Sequence, residues 1–348
     1  MLKGSPPHLS LTWFPLVPFC WLLCSFSIAG GESISAGRKK RMWHLVRKTT
    51  QTLVFLSLIV APALALYDVG VHTRSLYGPP EYSLNSRRIR GGGAVPTFFI
   101  NEMEALIGER PRSAQPLSGY FAGSPWAMSI GGYFVIDPLN ALGALVAGGG
   151  VGKILLAALP FLVLTALLGR VFCGWLCPVH FLLEMGDSLR SLLTRFGVPV
   201  RNFRLKRTMK YAVLGFGVVS TLGLGAQIFP LIYPPAVLGR QLFELIFFGS
   251  LGAGFLFLIA LALAEIFLSR RLWCRYLCPG GGLYSLLGYF RRVSIQRNKS
   301  ACDDCGDCNQ VCAFGLSPMT DATGIECTSC LECVRVCAVD ALVFRFEP

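Results

Sequence analysis

Two stretches near the end of the chain, "CDDCGDCNQVC" (302–312) and "CTSCLECVRVC" (327–337), share the spacing Cys-x2-Cys-x2-Cys-x3-Cys. Two more cysteine pairs stand upstream, in "CGWLCP" (173–178) and "CRYLCP" (274–279), so that twelve of the fourteen cysteines lie in tight groups. Thiols grouped in this way ligate metal or carry redox chemistry, whereas disulfide frameworks belong to small secreted domains. A zinc site uses four ligands in two separated pairs. Eight cysteines in two identical four-cysteine runs fit paired [4Fe–4S] sites better, with the fourth cysteine of each run crossing to the other cluster. The expected ligand sets are Cys302, Cys305, Cys308 and Cys337 for one cluster, and Cys327, Cys330, Cys333 and Cys312 for the other. A domain of about 50 residues, 293–348, has little core of its own, and its clusters are expected to hold it folded.

The upstream pairs form an internal repeat. "RVFCGWLCP" (170–178) and "RRLWCRYLCP" (270–279) both read Arg, aliphatic, aromatic, Cys, any residue, aromatic, Leu, Cys, Pro. Residues four apart share a helix face, so each pair presents two thiols together. The proline after the second cysteine pushes that cysteine out of helical geometry. Cys173, Cys177, Cys274 and Cys278 are thus expected at the rim of a helix bundle. There they bind a further metal or cluster, line the place where a membrane reductant meets the electron chain, or simply pack. Cys20 and Cys24 have the same spacing without the proline and read as buried or lipid-facing thiols.

The elements that position these groups are apolar. Hydrophobic residues make up 53% of the 348, charged residues only 15% against about 25% in soluble domains, which points to a membrane protein. Four runs approach the roughly 20 residues that cross a bilayer core: Thr50–Tyr67, Val151–Gly169, Lys210–Ile232 and Leu245–Leu268. The net charge of +13 lies beside them rather than in a nucleic-acid-binding patch. Arg38, Lys39, Lys40, Arg41, Arg47 and Lys48 precede the first run; Arg170 to Lys210 and Arg270 to Lys299 bracket the two Cys-Pro motifs. Positive flanks mark the cytoplasmic side, which places both core termini, both Cys-Pro motifs and the tail there.

The expected fold is therefore an all-α polytopic membrane protein of four transmembrane helices, arranged as two pseudo-repeated hairpins. It is followed by a small C-terminal two-cluster, ferredoxin-like α+β domain. The division is an N-terminal extension (1–41), a membrane domain (42–292) with an outer loop at about 68–150, and the tail (293–348). "LTWFPLVPFCWLLCSFSIAGG" (11–31) has the apolarity of a signal-peptide core or fifth span, but its prolines and the following basic block favour an extension ahead of Met42.

A membrane reductant that releases protons near the rim would need a proton acceptor. Glu265, close to the basic end of the fourth run, is one candidate, because carboxylates at membrane depth are costly and functional by default. Its bland alternative is pairing with Arg270 or Arg271. His180, with Glu184 and Asp187, follows the first Cys-Pro motif and is the other candidate. Asp137 precedes Pro138 and suits a helix cap. "GGG" at 91–93 and 148–150 has no phosphate-loop continuation, so nucleotide chemistry finds no support.

With four apolar runs, two Cys-x3-Cys-Pro motifs and a two-cluster tail in this order, the chain resembles the NapH/MauN family of ferredoxin-type membrane proteins over roughly residues 42–348. "IDPLNAL" (136–142) and "YPPAVLGRQL" (233–242) are similar to family segments as well. Ala313 and Ala338 depart from the proline that bacterial ferredoxins place after the fourth cysteine. The resemblance implies a multi-pass protein of the bacterial inner membrane that exchanges electrons between the quinol pool and a periplasmic or membrane redox partner subunit. If it is an enzyme, it is a quinol dehydrogenase-type subunit. The alternative is an accessory maturation or assembly factor, of the kind found in methylamine-dehydrogenase operons, that donates electrons for cofactor biogenesis. Membrane lipid is an expected partner; nucleic acid is not.

Overall fold

The computed structural model describes residues 36–77 and 121–346, apart from 125, 131, 132, 199 and 322. Cys20, Cys24, the apolar stretch at 11–31 and most of the long outer loop lie outside the described residues. The first half contains α1 (Ala36–Tyr77), the strands β1 (Phe121–Ser124), β2 (Ala127–Ile130) and β3 (Tyr133–Ile136), then α2 (Pro138–Val146), α3 (Val151–Leu168), α4 (Val171–Trp175) and α5 (Pro178–Arg195). The second contains α6 (Met209–Leu224), α7 (Phe229–Ile232), α8 (Pro234–Phe248), α9 (Ala253–Phe267), one π-helical turn (Trp273–Leu277) and α10 (Pro279–Leu287). The tail is built from β4 (Val293–Arg297), α11 (Asp307–Val311), α12 (Glu332–Val336) and β5 (Leu342–Phe346), with short 3₁₀ turns between.

Among the described residues two helices are long and apolar enough to cross a membrane: Lys40–Asp68 within α1, and α3. The shorter apolar helices are α6 and α9. Two of the expected spans have different limits. The run Lys210–Ile232 is broken after α6, where Gly225 takes φ +62°, and Leu245–Leu268 is broken at Gly249, with φ +63°. A left-handed glycine ends a helix by satisfying its last carbonyls; both glycines donate back to the preceding turn, to Thr221 and Leu245. At the other end of the chain, α1 starts at Ala36, so the last residues of the expected extension are helical, and Pro62 lies within that helix without ending it.

The repeat is structural, and its halves are exchanged rather than side by side. Each half has a long helix (α1, α6), a short proline-opened helix (α2, α8), an apolar helix (α3, α9), a cysteine motif and a Cys-Pro-opened helix (α5, α10). Helix α1 packs on α8 and α5, and its counterpart α6 on α2 and α10. Helix α3 packs on α2 and α10, and its counterpart α9 on α8 and α5. Each long helix thus rests on the other half's short helix.

The end of the outer loop returns into the bundle. Trp126 is fully buried, with its ring 5.5 Å from that of Phe172, the neighbour of Cys173. The backbone N–H of Asp137 donates to the Trp126 carbonyl (2.8 Å), which carries the entry of α2 to the same place. The described part of the expected outer loop therefore reaches the cysteine motifs.

In the tail, β4 and β5 pair antiparallel, from Val293 opposite Phe346 to Arg297 opposite Leu342. The tail does not form a separate core. Val293, Ile295, Phe314, Leu331 and Leu342 join Trp43, Leu168, Val171 and Trp175 in one apolar cluster. Gly174, inside the first Cys-Pro motif, is a point of close backbone approach to the tail. A Cβ there would lie 2.6 Å from the Thr328 carbonyl oxygen. Overpacking of this kind costs about 1–3 kcal/mol. Gly174→Ala is expected to make the tail measurably more sensitive to protease, whereas Gly152→Ala, whose Cβ meets nothing within 4 Å, leaves it unchanged. Equal protection of the two variants would show that the tail does not rest on Gly174.

Candidate metal centres

The two tail runs adopt the same strained path. Asp304 and Ser329 have φ of 54° and 50°, Gly306 and Leu331 81° and 62°, Gly315 and Asp340 59° and 54°. Each pair holds the same place in its run, and four of the six are not glycine. Left-handed backbone at such residues costs on the order of 1–3 kcal/mol each and persists where the surroundings require it. Its effect is to curl the loops so that amides face sulfur. Leu316 N–H donates to Cys312 Sγ (3.4 Å), and its counterpart Ala341 N–H to Cys337 Sγ (3.3 Å). Cys302, Cys305, Cys308 and Cys337 line one cavity, with Arg297 and Met319. In the other group, Cys327, Cys330 and Cys333 each interact electrostatically with Cys312. The fold thus gathers Cys302, Cys305, Cys308 and Cys337 about one cavity and sets Cys312 near Cys327, Cys330 and Cys333. Among the described residues no three His, Cys, Asp or Glu side chains converge as a single ion requires. The tail thiols are arranged about a space, and four thiolates with inward amides suit an anionic cube.

The four upstream cysteines also share one place. Cys173, Cys177, Cys274 and Cys278 line one small cavity together with Arg170, His180, Tyr233, Trp273, Tyr284 and Phe314. Cys177 and Cys278 are the extended N-cap residues of α5 and α10, each followed by proline at the first helical position. The proline keeps the cysteine extended, so the first free amides of each helix turn toward its sulfur. Gly281 N–H donates to Cys278 Sγ at 3.3 Å. Cys177 holds the same position at the head of α5, extended and followed by proline, but takes no side-chain cap hydrogen bond among the described residues. On the far side, Tyr284 Oη donates to Asp137 Oδ2 (2.8 Å) and lies 3.2 Å from Tyr233 Oη. Asp137 also caps α2, as expected, accepting from the amides of Leu139 and Asn140.

Arg170 joins the two centres. Its side chain is 1% exposed; Nη1 donates to Glu326 Oε2 (2.6 Å) and Nη2 to the Cys274 carbonyl (3.2 Å), and the guanidinium lies over the Phe314 ring at 5.4 Å. Glu326 precedes Cys327 and also takes hydrogen bonds from Lys210 and Tyr211. Burial opposes its ionisation, but Arg170 and Lys210 outweigh burial and hold the carboxyl below its ordinary value. Trp175 Nε1 donates to the Ser329 carbonyl (2.9 Å), and Arg207 to those of Phe314 and Gly315. The equivalent of Arg170 in the second half, Arg271, is equally buried and pairs with Asp187 Oδ2 at 3.0 Å.

The two proton-acceptor candidates sit differently. Glu265 is buried, but its oxygens accept the backbone N–H groups of Leu272 and Trp273, both at 2.9 Å. It pins the turn ahead of Cys274, while Arg270 and Arg271 bond to Asp187 instead. His180 lines the cavity, stacks on Phe314 and meets Glu184 Oε1 through Nε2 (3.3 Å); its Nδ1 is buried and has no partner among the described residues. Glu184 also binds Arg47 and Lys48 of α1, and Arg47 reaches Glu332 in the tail at 2.7 Å. Burial, then the Arg271 charge, pushes the His180 imidazole down to about 4. Burial alone would raise Glu184, but the His180 hydrogen bond, Arg47 and Lys48 hold it well below its ordinary value. Arg47, Glu326 and the Asp137–Tyr284–Tyr233 chain were not expected from the sequence. The one available signal was the matched arginine three residues before Cys173 and Cys274.

The family model described as a 4Fe-4S binding domain matches residues 152–196 and 250–298, the two cysteine-motif halves. The chain is 33% identical over 199 residues to the putative electron transport protein YccM of Escherichia coli (strain K12), a match covering 56% of each. It is 31% identical over 216 residues to the ferredoxin-type protein NapH of the same strain, covering 59% of this chain and 72% of the relative. To the methylamine utilization ferredoxin-type protein MauN of Methylobacillus flagellatus it is 29% identical over 215 residues, covering 60% and 70%. No solved structure matches this chain.

Breaking a buried ion pair by removing one partner costs about 3–5 kcal/mol. Arg170→Ala should therefore lower the thermal midpoint strongly and free the tail to protease; a variant as stable as wild type would show that the pair is not buried. The His180 imidazole, held at about 4 against an ordinary 6.5, leaves the unfolded chain binding the extra proton between these values. Stability is then fully present above 6.5 and falls as pH drops toward 4. Thermal midpoints measured across that window should fall less steeply in His180→Asn than in wild type, and parallel slopes would remove His180 as the source.

Proposed function

Because the chain belongs to the NapH/MauN family of ferredoxin-type proteins, we propose that it is a membrane-bound protein passing electrons between the quinol pool and a partner redox enzyme. Its family relationship supports iron–sulfur electron transfer. The observation that carries the fuller reading is the seating of the tail on the first Cys-Pro motif, through Trp175 to Ser329 and Arg170 to Glu326. Two [4Fe–4S] clusters, when bound by the crossed cysteine sets, supply one-electron transfer. A quinol gives up two electrons and two protons on becoming quinone, which two one-electron carriers match.

The residues of the chain divide the remaining work. Arg170, Trp175 and Arg207 hold the tail at the cavity, so that an electron leaving the rim meets the Cys312 and Cys327 side of the tail first. His180 has a free ring nitrogen beside the cavity, but burial and the Arg271 charge hold its imidazole at about 4, so it serves as a relay rather than a resting base; its Glu184 partner leads to Lys48 at the surface. Glu265 holds the Cys274 turn in place. Two long apolar helices support a membrane location. The basic start of α1, the first Cys-Pro motif and the second all meet the tail, which agrees with a single cytoplasmic face.

The maturation reading uses the same ligands and draws on the likeness to methylamine utilization proteins. An anaerobic EPR titration of the full-length protein with a reduced quinol separates the two. Reduced-cluster signals are expected to appear with quinol and to be lost in Cys305→Ser and Cys330→Ser. Signals that appear with dithionite but never with quinol would overturn quinol oxidation and favour cytoplasmic electron donation.

A further inference from the structure

On the reading of the tail as a two-cluster electron carrier, we propose that Arg291 and Arg297, at the two ends of the β4 strand face, tune the reduction potentials of its clusters, one arginine serving each.

The sequence of the strand suits this arrangement. In "RRVSIQR" (291–297), Arg291, Val293, Ile295 and Arg297 fall at every second position. Residues two apart in extended backbone share a face, and Arg291 is itself extended, with φ −56° and ψ 138°. Val293 and Ile295 are 2% and 5% exposed and belong to the apolar cluster that joins the tail to the bundle. The inward face of β4 is therefore an apolar pair with a guanidinium at each end. In the sequence both arginines count as membrane-flanking charge, yet in the fold both meet tail cysteines.

Each arginine meets the first cysteine of a different run. Arg297 Nη1 donates to Cys302 Sγ at 3.7 Å and also binds Asp304 Oδ1 at 2.8 Å. Arg291 acts on Cys327 through its charge and a side-chain hydrogen bond. Its stem is seated against the end of α3, where a Cβ on Gly169 would lie 3.1 Å from Arg291 Cδ. Cys302 and Cys327 hold the same place in their runs, so the two contacts are equivalent although both arginines come from one strand. Each arginine also keeps one buried nitrogen with no partner among the described residues, Nη1 of Arg291 and Nε of Arg297. Unpaired buried donors are rare, and each calls for an explanation. Acceptor sulfurs in the space that the cysteines surround would satisfy both.

The consequence is electrostatic. A cube on four thiolates is an anion, and its reduction adds one electron with no bond formed or broken, so the negative charge grows. A fixed cation that also donates to a ligand sulfur stabilises the reduced form more than the oxidised one and raises the potential, since net charge and hydrogen bonds to the sulfurs set it. Coulomb attraction weakens with distance, so each arginine acts most strongly on its own set. A guanidinium does not lose its proton in a protein, which makes the tuning independent of pH.

The test is a redox titration of the anaerobically purified full-length protein, poised with dithionite and mediators and followed by EPR. Cys305→Ser, which breaks the set around Cys302, assigns the two midpoints. Arg297→Gln should lower the midpoint of the Cys302 set alone, and Arg291→Gln that of the Cys327 set alone. The expected size is about tenfold in the ratio of reduced to oxidised cluster at fixed potential, or about 59 mV for one electron. Arg297→Lys and Arg291→Lys keep the charge and should fall by less. Iron content equal to wild type shows that a variant has folded. Where a glutamine variant loses iron, its lysine counterpart takes its place, and that midpoint must still fall below wild type. Unchanged midpoints in iron-replete variants would overturn the assignment, as would either substitution shifting both midpoints equally. Wild type with no iron and no reducible signal would instead defeat the two-cluster reading itself.

Discussion

Arg170 carries a permanent charge where there is no water to solvate it. A bare guanidinium in such a place is prohibitively costly, so each of its contacts has to be in position at once. Those contacts come from three parts of the chain: the Cys274 carbonyl from the other half of the repeat, the Glu326 carboxylate and Phe314 ring from the tail, and its own motif beside Cys173. Satisfying one side chain thereby fixes the relation of the two halves to each other and of the tail to both. Lys210 and Tyr211, closing on the same carboxylate, extend that constraint to the start of α6.

The exchanged packing of the repeat has a similar logic. Short helices opened by proline, α2 and α8, bring their first turns toward the cavity, and each is covered by the long helix of the opposite half. Asp137 at the head of α2 reaches Tyr284, and Tyr233 at the head of α8 stands beside both. The cavity is therefore walled by matched pieces from the two halves, with a tyrosine–carboxylate chain on one side and a histidine–carboxylate pair on the other. The symmetry is broken where the tail docks: Arg170 faces Glu326, whereas its counterpart Arg271 faces Asp187.

Much of the chemistry was legible in the sequence because covalent spacing alone defines it. The crossed cysteine sets of the tail and the matched Cys-Pro pairs needed no tertiary knowledge to be grouped, and Asp-Pro announced the cap on α2. The limits of the membrane elements were less legible. Apolar residues run on through 224–234 and 245–253, so hydropathy merges pieces that Gly225 and Gly249 separate by backbone conformation. Glu265 looked like a proton acceptor because a carboxylate near membrane depth has a high cost. Its compensation, two backbone amides seven and eight residues ahead, depends on how the turn before Cys274 folds. Partnerships such as Tyr284 with Asp137, 147 residues apart, or Arg47 with Glu332, 285 apart, leave no local trace at all.

The contact between α1 and the tail bears on how the molecule can come apart. Arg47 and Lys40 lie in the first part of α1, and their partners Glu332, Asp340 and Cys337 lie in the tail. Arg47 also holds Glu184 of the first half, and α1 packs on α8 of the second. One buried guanidinium is therefore divided between the tail and the helix bundle. Lifting the tail away would leave that cation with half of its compensation, so separation of the tail is coupled to loosening of α1 itself.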